Sequence, residues 1–203
     1  MRLLTKLRQH LFPLIYKRTC QLGVGGKLIF GGKCSFSLKS KAKIIINGKT
    51  IISANGDNKL LSSITLGRNS TITLCDNTCI FYGCDIVVND NAKLFIGKNS
   101  YINSHSIIHC NKEIHIGNNC AIAYGVKIMD SDEHSVNGER RTKKVTIGNN
   151  VWIGAGAIIL SGTTIGDGSV IAAGSVITKD IPEHCLAAGI PAAIKRTNIK
   201  WEL

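Results

Sequence analysis

The segment KIMDSDEHSV, residues 127–136, places Asp130, Asp132, Glu133 and His134 within ten positions. An imidazole titrates near neutrality and can take the proton from an attacking hydroxyl, while a carboxylate on its other ring nitrogen fixes the tautomer and stabilises the cation. The same residues also suit a solvated turn. Other chemistry-bearing side chains are dispersed. Cys75, Cys79 and Cys84 have loosely zinc-like spacing but no second close pair and no matching histidine. His105, His109, His115 and His134 could serve a metal only if the fold gathered them.

The elements that must position these residues are read from a period of six. From residue 145 the chain reads VTIGNN, VWIGAG, AIILSG, TTIGDG, SVIAAG, SVITKD. The third position is Ile147, Ile153, Ile159, Ile165, Ile171 and Ile177. Two places earlier stand Val145, Val151, Ala157, Thr163, Ser169 and Ser175. A period of six fits neither an amphipathic helix nor a long alternating strand. It fits short strands joined by tight bends, three to a triangular coil, with coils stacked in parallel. Isoleucine then fills the interior, the small residue sits near a corner, and glycine or asparagine takes the positive φ of a bend. The pairs Cys84 and Ile86, Ser100 and Ile102, Ser106 and Ile108, Cys120 and Ile122, and Val126 and Ile128 keep the same offset upstream. This gives Cys84 and Cys120 a packing role. Between Ile128 and Ile147 the register slips, and the polar MDSDEHSVNGERRTKK leaves the coil as a loop, where function is commonly placed.

A chain of 203 residues that is 44% hydrophobic is long enough for one well-packed domain. No run reaches the roughly 18 apolar residues of a membrane span, and no N-terminal stretch reads as a secretory leader. The eight cysteines are therefore expected to be reduced thiols in a cytoplasmic protein. The net charge of +12 points to an anionic partner. With 5% aromatics and no recognisable nucleic-acid motif, nucleic acid is the weakest candidate. Residues 1–19 place Leu3, Leu4, Leu7, Leu11, Leu14 and Ile15 at helical spacing with basic residues around them, and Pro13 kinks or ends the pattern. This basic amphipathic helix, residues 1–24 with its linker, reads either as a cap on the main domain or as a peripheral contact with the inner face of the cytoplasmic membrane.

Residues 145–196, closing on AAGIPA, resemble the hexapeptide-repeat acyltransferases, and the DSDEHS loop with the ending AIKRTNIKWEL is most similar to the bacterial polysaccharide and sugar O-acetyltransferases. The resemblance implies an all-β, left-handed parallel β-helix over residues 25–196, with an active-site loop at about 129–144, a tail at 197–203 and a homotrimer whose active sites lie between subunits. The hand rests on the family alone, since parallel crossovers in general favour the right.

The resemblance further implies an acetyl-CoA-dependent O-acetyltransferase, with no metal, that transfers acetyl directly to a sugar hydroxyl in surface polysaccharide biosynthesis. His134 matches the catalytic base and Asp132 the aspartate two residues before it. Asp130 and Glu133 are the other candidates for orienting the imidazole. An oxyanion donor is implied near Gly154 and Ala155. The coenzyme A arm is implied to pass Ala155, Ala173, Thr178 and Lys179, with Lys179 and Arg196 suited to its phosphates. Trp152 points outward if Ile153 points inward. It is a candidate for contact with the acceptor or an adjacent subunit, and Asn103 and His105 are candidates for the acceptor. The alternatives are N-acetylation of an amino sugar or other small acceptor, a metal lyase of the carbonic-anhydrase type using His105, His109, His115 and His134, and a non-catalytic trimeric scaffold.

Overall fold

The computed structural model describes residues 20–23, 25–54 and 60–202. The helix expected over residues 1–19 lies outside them. Among the described residues there is no helix, so none long and apolar enough to cross a membrane.

Short strands line the three faces of a triangular prism. The first face runs from Cys20–Leu22 through Lys43–Ile46, Thr71–Leu74, Lys93–Ile96, Glu113–Ile116 and Val145–Ile147 to Thr164–Ile165. The second begins at Lys27–Phe30 and reaches Trp152–Ile153, Val170–Ile171 and Leu186–Gly189. The third begins at Cys34–Leu38, includes Ile107–Cys110, Lys127–Met129 and Ile158–Ile159, and ends at Val176–Ile177. Pairing within the faces is parallel, except that Leu186–Gly189 turns back antiparallel onto Ala192–Arg196. This is the left-handed β-helix expected from the sequence. It begins at Cys20 rather than at residue 25, since Cys20–Leu22 already pairs with the next coil.

The interior follows the hexad. Ile147, Ile153, Ile159, Ile165, Ile171 and Ile177 are fully buried, and Ile153 pairs with Ile171 while Ile159 pairs with Ile177. The residues two places earlier are buried as well, including Thr163, Ser169 and Ser175. Their hydroxyls find backbone partners: Thr163 Oγ1 donates to Leu160 O at 2.8 Å, Ser169 Oγ donates to Pro182 O at 2.7 Å, and Ser175 Oγ accepts from Gly189 N at 3.2 Å. One core runs from Leu28 to Ala187. Each buried isoleucine contributes roughly 1.5–3 kcal/mol, so the stack is the principal stabilising term.

The corners are held by polar ladders. Asn77, Asn99, Asn119 and Asn150 all have φ between 51° and 56°, a conformation asparagine tolerates better than most residues. Asn77 Nδ2 donates to Asn99 Oδ1 at 3.1 Å and Asn99 Nδ2 to Asn119 Oδ1 at 3.0 Å. Gly154 is needed for a different reason, because a Cβ there would stand 2.5 Å from Ala173 N in the coil above.

Upstream the period of six is interrupted because the coils are longer. Corner partners lie 22 residues apart between Asn77 and Asn99, 20 between Asn99 and Asn119, and 18 between Asn149 and Asp167. From Asn118 to Asn149 the interval is 31, and the excess is the loop between the third and first faces.

Cys84 and Cys120 fill inward slots at 1% and 0% exposure, the packing role read from the sequence. Burial pushes each thiol up to about 11. The unfolded chain releases these protons from about pH 9 while the folded chain keeps them, so the unfolded state binds fewer protons and stability falls from about pH 9 to 11. The urea midpoint should drop over that window, and drop less in a Cys84→Ala, Cys120→Ala double variant; equal drops would assign the effect to other groups.

Candidate active site

The loop is a hairpin. Ser131–Val136 pairs antiparallel with Glu139–Thr142 across a two-residue turn in which Asn137 and Gly138 both have positive φ, 53° and 80°. Ser131 faces Thr142 and Ser135 faces Arg140, so Asp132, Glu133 and His134 together oppose Arg141 alone. The arm therefore bulges at His134. Glu133 adopts φ 58°, uncommon for a glutamate, and a bulge of this kind re-aims the next side chain. Asp132, Glu133 and His134 are all exposed.

The root of the hairpin is the reverse, buried and fully bonded. Asp130 is 0% exposed, and its carboxylate accepts from the backbone N–H groups of Asn111, Lys112 and Glu113 at 2.6, 2.8 and 2.7 Å. Its carbonyl accepts from Lys143 N at 2.9 Å and Ser161 Oγ at 2.9 Å. Ser131 Oγ and Thr142 Oγ1 close the base at 2.8 Å. Asp130 thus clamps the hairpin to the coils below and above, and cannot also orient His134. Glu133 takes a weak 3.4 Å contact from Asn111 Nδ2. Of the three carboxylates considered, Asp132 alone is uncommitted among the described residues. It makes no hydrogen bond to His134 within the chain.

A second group of candidate residues meets at the corner between the second and third faces. Asn103 and His105 share one coil there, with Ala155 two coils and Ala173 three coils further along. The His105 ring, at φ 60°, is wedged between the rings of Tyr82 at 5.6 Å and Tyr124 at 5.1 Å. Tyr124 is 54% exposed, in the same column as Ala155, and sequence reasoning passed over it because it occupies an otherwise ordinary corner position. A Cβ added at Gly125, Gly156 or Gly174 would meet nothing within 4 Å, so this corner is open along three coils. Gly154 requires a correction: its N–H donates to Ile171 O at 2.8 Å and is not available to an oxyanion. The exposed Ala155 has no partner for its N–H among the described residues.

One chain does not bring these two groups together. The hairpin, Thr178 and Lys179 lie at the corner between the third and first faces, and Ala155 and Ala173 at the corner before it. Arg196 ends the antiparallel strand at the C-terminal edge of the second face. Trp152 points outward as expected, 44% exposed, and packs on the chain's own tail. Its ring lies 6.0 Å from that of Trp201, whose Nε1–H donates to Asn150 O at 2.7 Å.

The histidines of the lyase alternative are scattered. His109 is on the third face with Asp85 at 3.4 Å, His115 is stacked on Phe95 on the first face at 4.6 Å, His105 is at a corner, and His134 is on the hairpin. Burial, with Lys144 nearby, holds the His115 imidazole below its ordinary range. No cluster of three metal-binding side chains occurs among the described residues. Ser63, Asp85 and His109 do not form a hydrolytic triad, because Asp85 stands between the other two and takes the hydroxyl itself.

Comparison with known proteins agrees with this architecture. Residues 144–179 match the family described as bacterial transferase hexapeptide (six repeats). A polysialic acid O-acetyltransferase of Escherichia coli O1:K1 / APEC is 45% identical over 98 residues, 45% of this chain and 31% of that protein, so the matched part spans about a third of that relative's length. The solved structure of the polySia-specific acetyltransferase NeuO matches 91% of this chain and 88% of its own, with a TM-score of 0.65 and 29% identity. A galactoside acetyltransferase solved in complex with coenzyme A covers 66% of this chain and 64% of its own, at TM-score 0.50 and 37% identity. The repeat over residues 144–179 is that of the hexapeptide family model, and the fold is similar to that of the solved acetyltransferases, the resemblance read from the sequence.

Replacing Asp130 by alanine strands three buried N–H groups, at about 1 kcal/mol or more each. The thermal midpoint should fall by roughly 6–12 °C, and less for Asp130→Asn, which keeps one acceptor. A midpoint unchanged in Asp130→Ala would show that the hairpin root does not depend on this carboxylate.

Proposed function

We propose that the protein is an acetyl-CoA-dependent O-acetyltransferase acting on a sugar hydroxyl in bacterial surface polysaccharide, with His134 as general base. The observation that carries this reading is the exposed His134 on a bulged arm, behind a positive-φ Glu133 and above a buried clamp. Such an arm sets an imidazole in the open while its root stays fixed. Support for the substrate class comes from the likeness to a polysialic acid O-acetyltransferase and a galactoside acetyltransferase.

A sugar hydroxyl is too weakly acidic to attack a thioester quickly near neutral pH, so His134 accepts its proton as the new C–O bond forms. Asp132, free of other partners, is the group proposed to hold the second ring nitrogen. The Ala155 N–H, rather than that of Gly154, is assigned to the carbonyl oxygen as its charge grows. The proton held by His134 then passes to the departing sulfur, and no acyl-enzyme is needed. Acetyl-CoA supplies the activated acetyl group as its thioester. The open corner at Ala155 and Ala173 suits its pantetheine arm, Thr178 beside the hairpin of an adjoining subunit is proposed to extend the track, and Lys179 there and Arg196 suit its phosphates. Asn103, His105 and Trp152 are proposed to face the acceptor. Seven of the eight cysteines, those from Cys34 to Cys185, are free thiols, which supports a cytoplasmic location.

The hairpin and the open corner lie apart in one chain, which favours a homotrimer in which the hairpin of one subunit reaches the corner of the next. Acetyl transfer to a pool of surface glycans, read by mass spectrometry, should fall by about 10²–10⁴ in His134→Ala with little change in KM for acetyl-CoA; equal transfer would remove His134 as the base. Mixed oligomers of His134→Ala chains with Ala155→Trp chains should regain activity that neither variant has alone. If mixed oligomers form without any recovery, the site lies within one chain.

A further inference from the structure

The positive charge of this protein is not spread along it. Residues 1–54 contain eleven Lys and Arg and no Asp or Glu, so +11 of the net +12 arises in that quarter of the chain. Six of the eleven, Lys27, Lys33, Lys39, Lys41, Lys43 and Lys49, fall in the first two coils, and all six are exposed. Lys27 and Lys49 stack in register at the corner leading into the second face. Lys33 stands at the next corner, between Lys27–Phe30 and Cys34–Leu38. Lys39, Lys41 and Lys43 occupy the third, between Cys34–Leu38 and Lys43–Ile46. None of the six forms an ion pair among the described residues. Two carboxylates beside the ring among the described residues are committed: Asp76 accepts the Lys49 backbone N–H at 2.7 Å, and Asp90 pairs with Arg68 at 2.8 Å, with Lys39 adding only a more distant attraction.

These lysines form a ring around the end of the prism, confined to its first two coils. A ring on three corners can meet a plane with all three at once. A linear polyanion would need a continuous basic stripe along a face, and the faces interrupt it. The first-face column that starts at Lys43 continues through Thr71 and Lys93 to Glu113, itself paired with Lys144. The third-face column through Ser35 and Ser63 meets Asp85. Residues 1–19, with five further basic residues and no acidic one, join the chain at this same end.

We infer that the N-terminal end of the prism is a docking face for an anionic membrane surface, standing the solenoid axis upright on the bilayer. The inference goes beyond the proposed transfer reaction and does not depend on it. The hairpin leaves from the fifth third-face strand, Lys127–Met129, four strand spacings or roughly 20 Å above the ring. At that height an acceptor held at the bilayer by a lipid anchor would reach the hairpin without entering the membrane.

The test is flotation of the full chain with phosphatidylcholine vesicles containing about a third phosphatidylglycerol, against phosphatidylcholine alone. Wild type should float only with the anionic vesicles and be released by salt. Each contacting lysine contributes about fivefold in partitioning, the equivalent of roughly 1 kcal/mol. Changing all six to glutamine, with residues 1–19 intact, should therefore lower partitioning by about 100-fold or more, and changing all six to arginine should preserve it. Circular dichroism and acetyl transfer to a soluble acceptor, both expected to be unchanged, separate loss of docking from loss of fold or activity. Should the sextuple glutamine variant not fold, Lys39→Gln, Lys41→Gln, Lys43→Gln is read in the same way, with a smaller drop. Partitioning equal to wild type in the folded glutamine variant would overturn the inference. So would a wild type that ignores anionic vesicles, including one that binds heparin, a soluble anionic glycan, instead.

Discussion

The structure depends on a steric constraint: in the coils of three hexads the interior has room for about one large side chain per strand. Isoleucine meets it at Ile147, Ile153, Ile159, Ile165, Ile171 and Ile177, all fully buried and stacked on their counterparts one coil away. Interiors at this density tolerate neither a gap nor an excess methyl without cost. The position two residues earlier must then be small, and the close approach of coils explains Gly154 against Ala173 N. Everything outside that line of side chains is free to vary, and the chemistry sits there.

The parts of the fold that obey this constraint in its tightest form were legible in the sequence. Where a coil is three hexads, as from Asn149 to Asp167, the period of six identifies every inward residue. In the 22-residue and 20-residue coils the four-residue strands, such as Thr71–Leu74 and Lys93–Ile96, bury alternate side chains just as well. The extra residues fall in the strands and corners and break the phase, so the pattern is present in space but blurred along the chain. The first strand escaped recognition for the same reason.

The candidate site was legible by residue type and much less so by position. His134 stood out because a polar run interrupted an apolar period, and the structure puts it on an exposed arm. Asp130, in the same run, looked equally able to orient an imidazole. Only its three bonds to Asn111, Lys112 and Glu113 reveal a structural clamp, and those partners lie a full coil away in sequence. Gly154 was misjudged in the opposite direction. Its hexad position marked it correctly as special, but a backbone N–H spent on Ile171 cannot be read from a side-chain pattern. Tyr124 and Trp201 carry no periodic signal and become visible only as ring contacts.

A stack of identical strands has little capacity to aim a reactive group, since its outward side chains are held in fixed columns by the parallel register. Insertion between two faces removes that restriction while leaving the register intact: Ile114 pairs with Val145 and Ile116 with Ile147 as if the hairpin were absent. The bulge and the positive φ at Glu133 then supply an orientation the coil cannot, and Asp130 keeps that freedom from spreading into the core. The isoleucine stack makes the platform rigid, and the buried carboxylate at its edge allows a polar, irregular segment to be carried on it. Without the clamp, a long polar insertion would add chain entropy exactly where the coils above and below must meet. The two features therefore belong together, because a rigid solenoid can present an exposed imidazole only through a segment that is both outside its period and tied to it at the root.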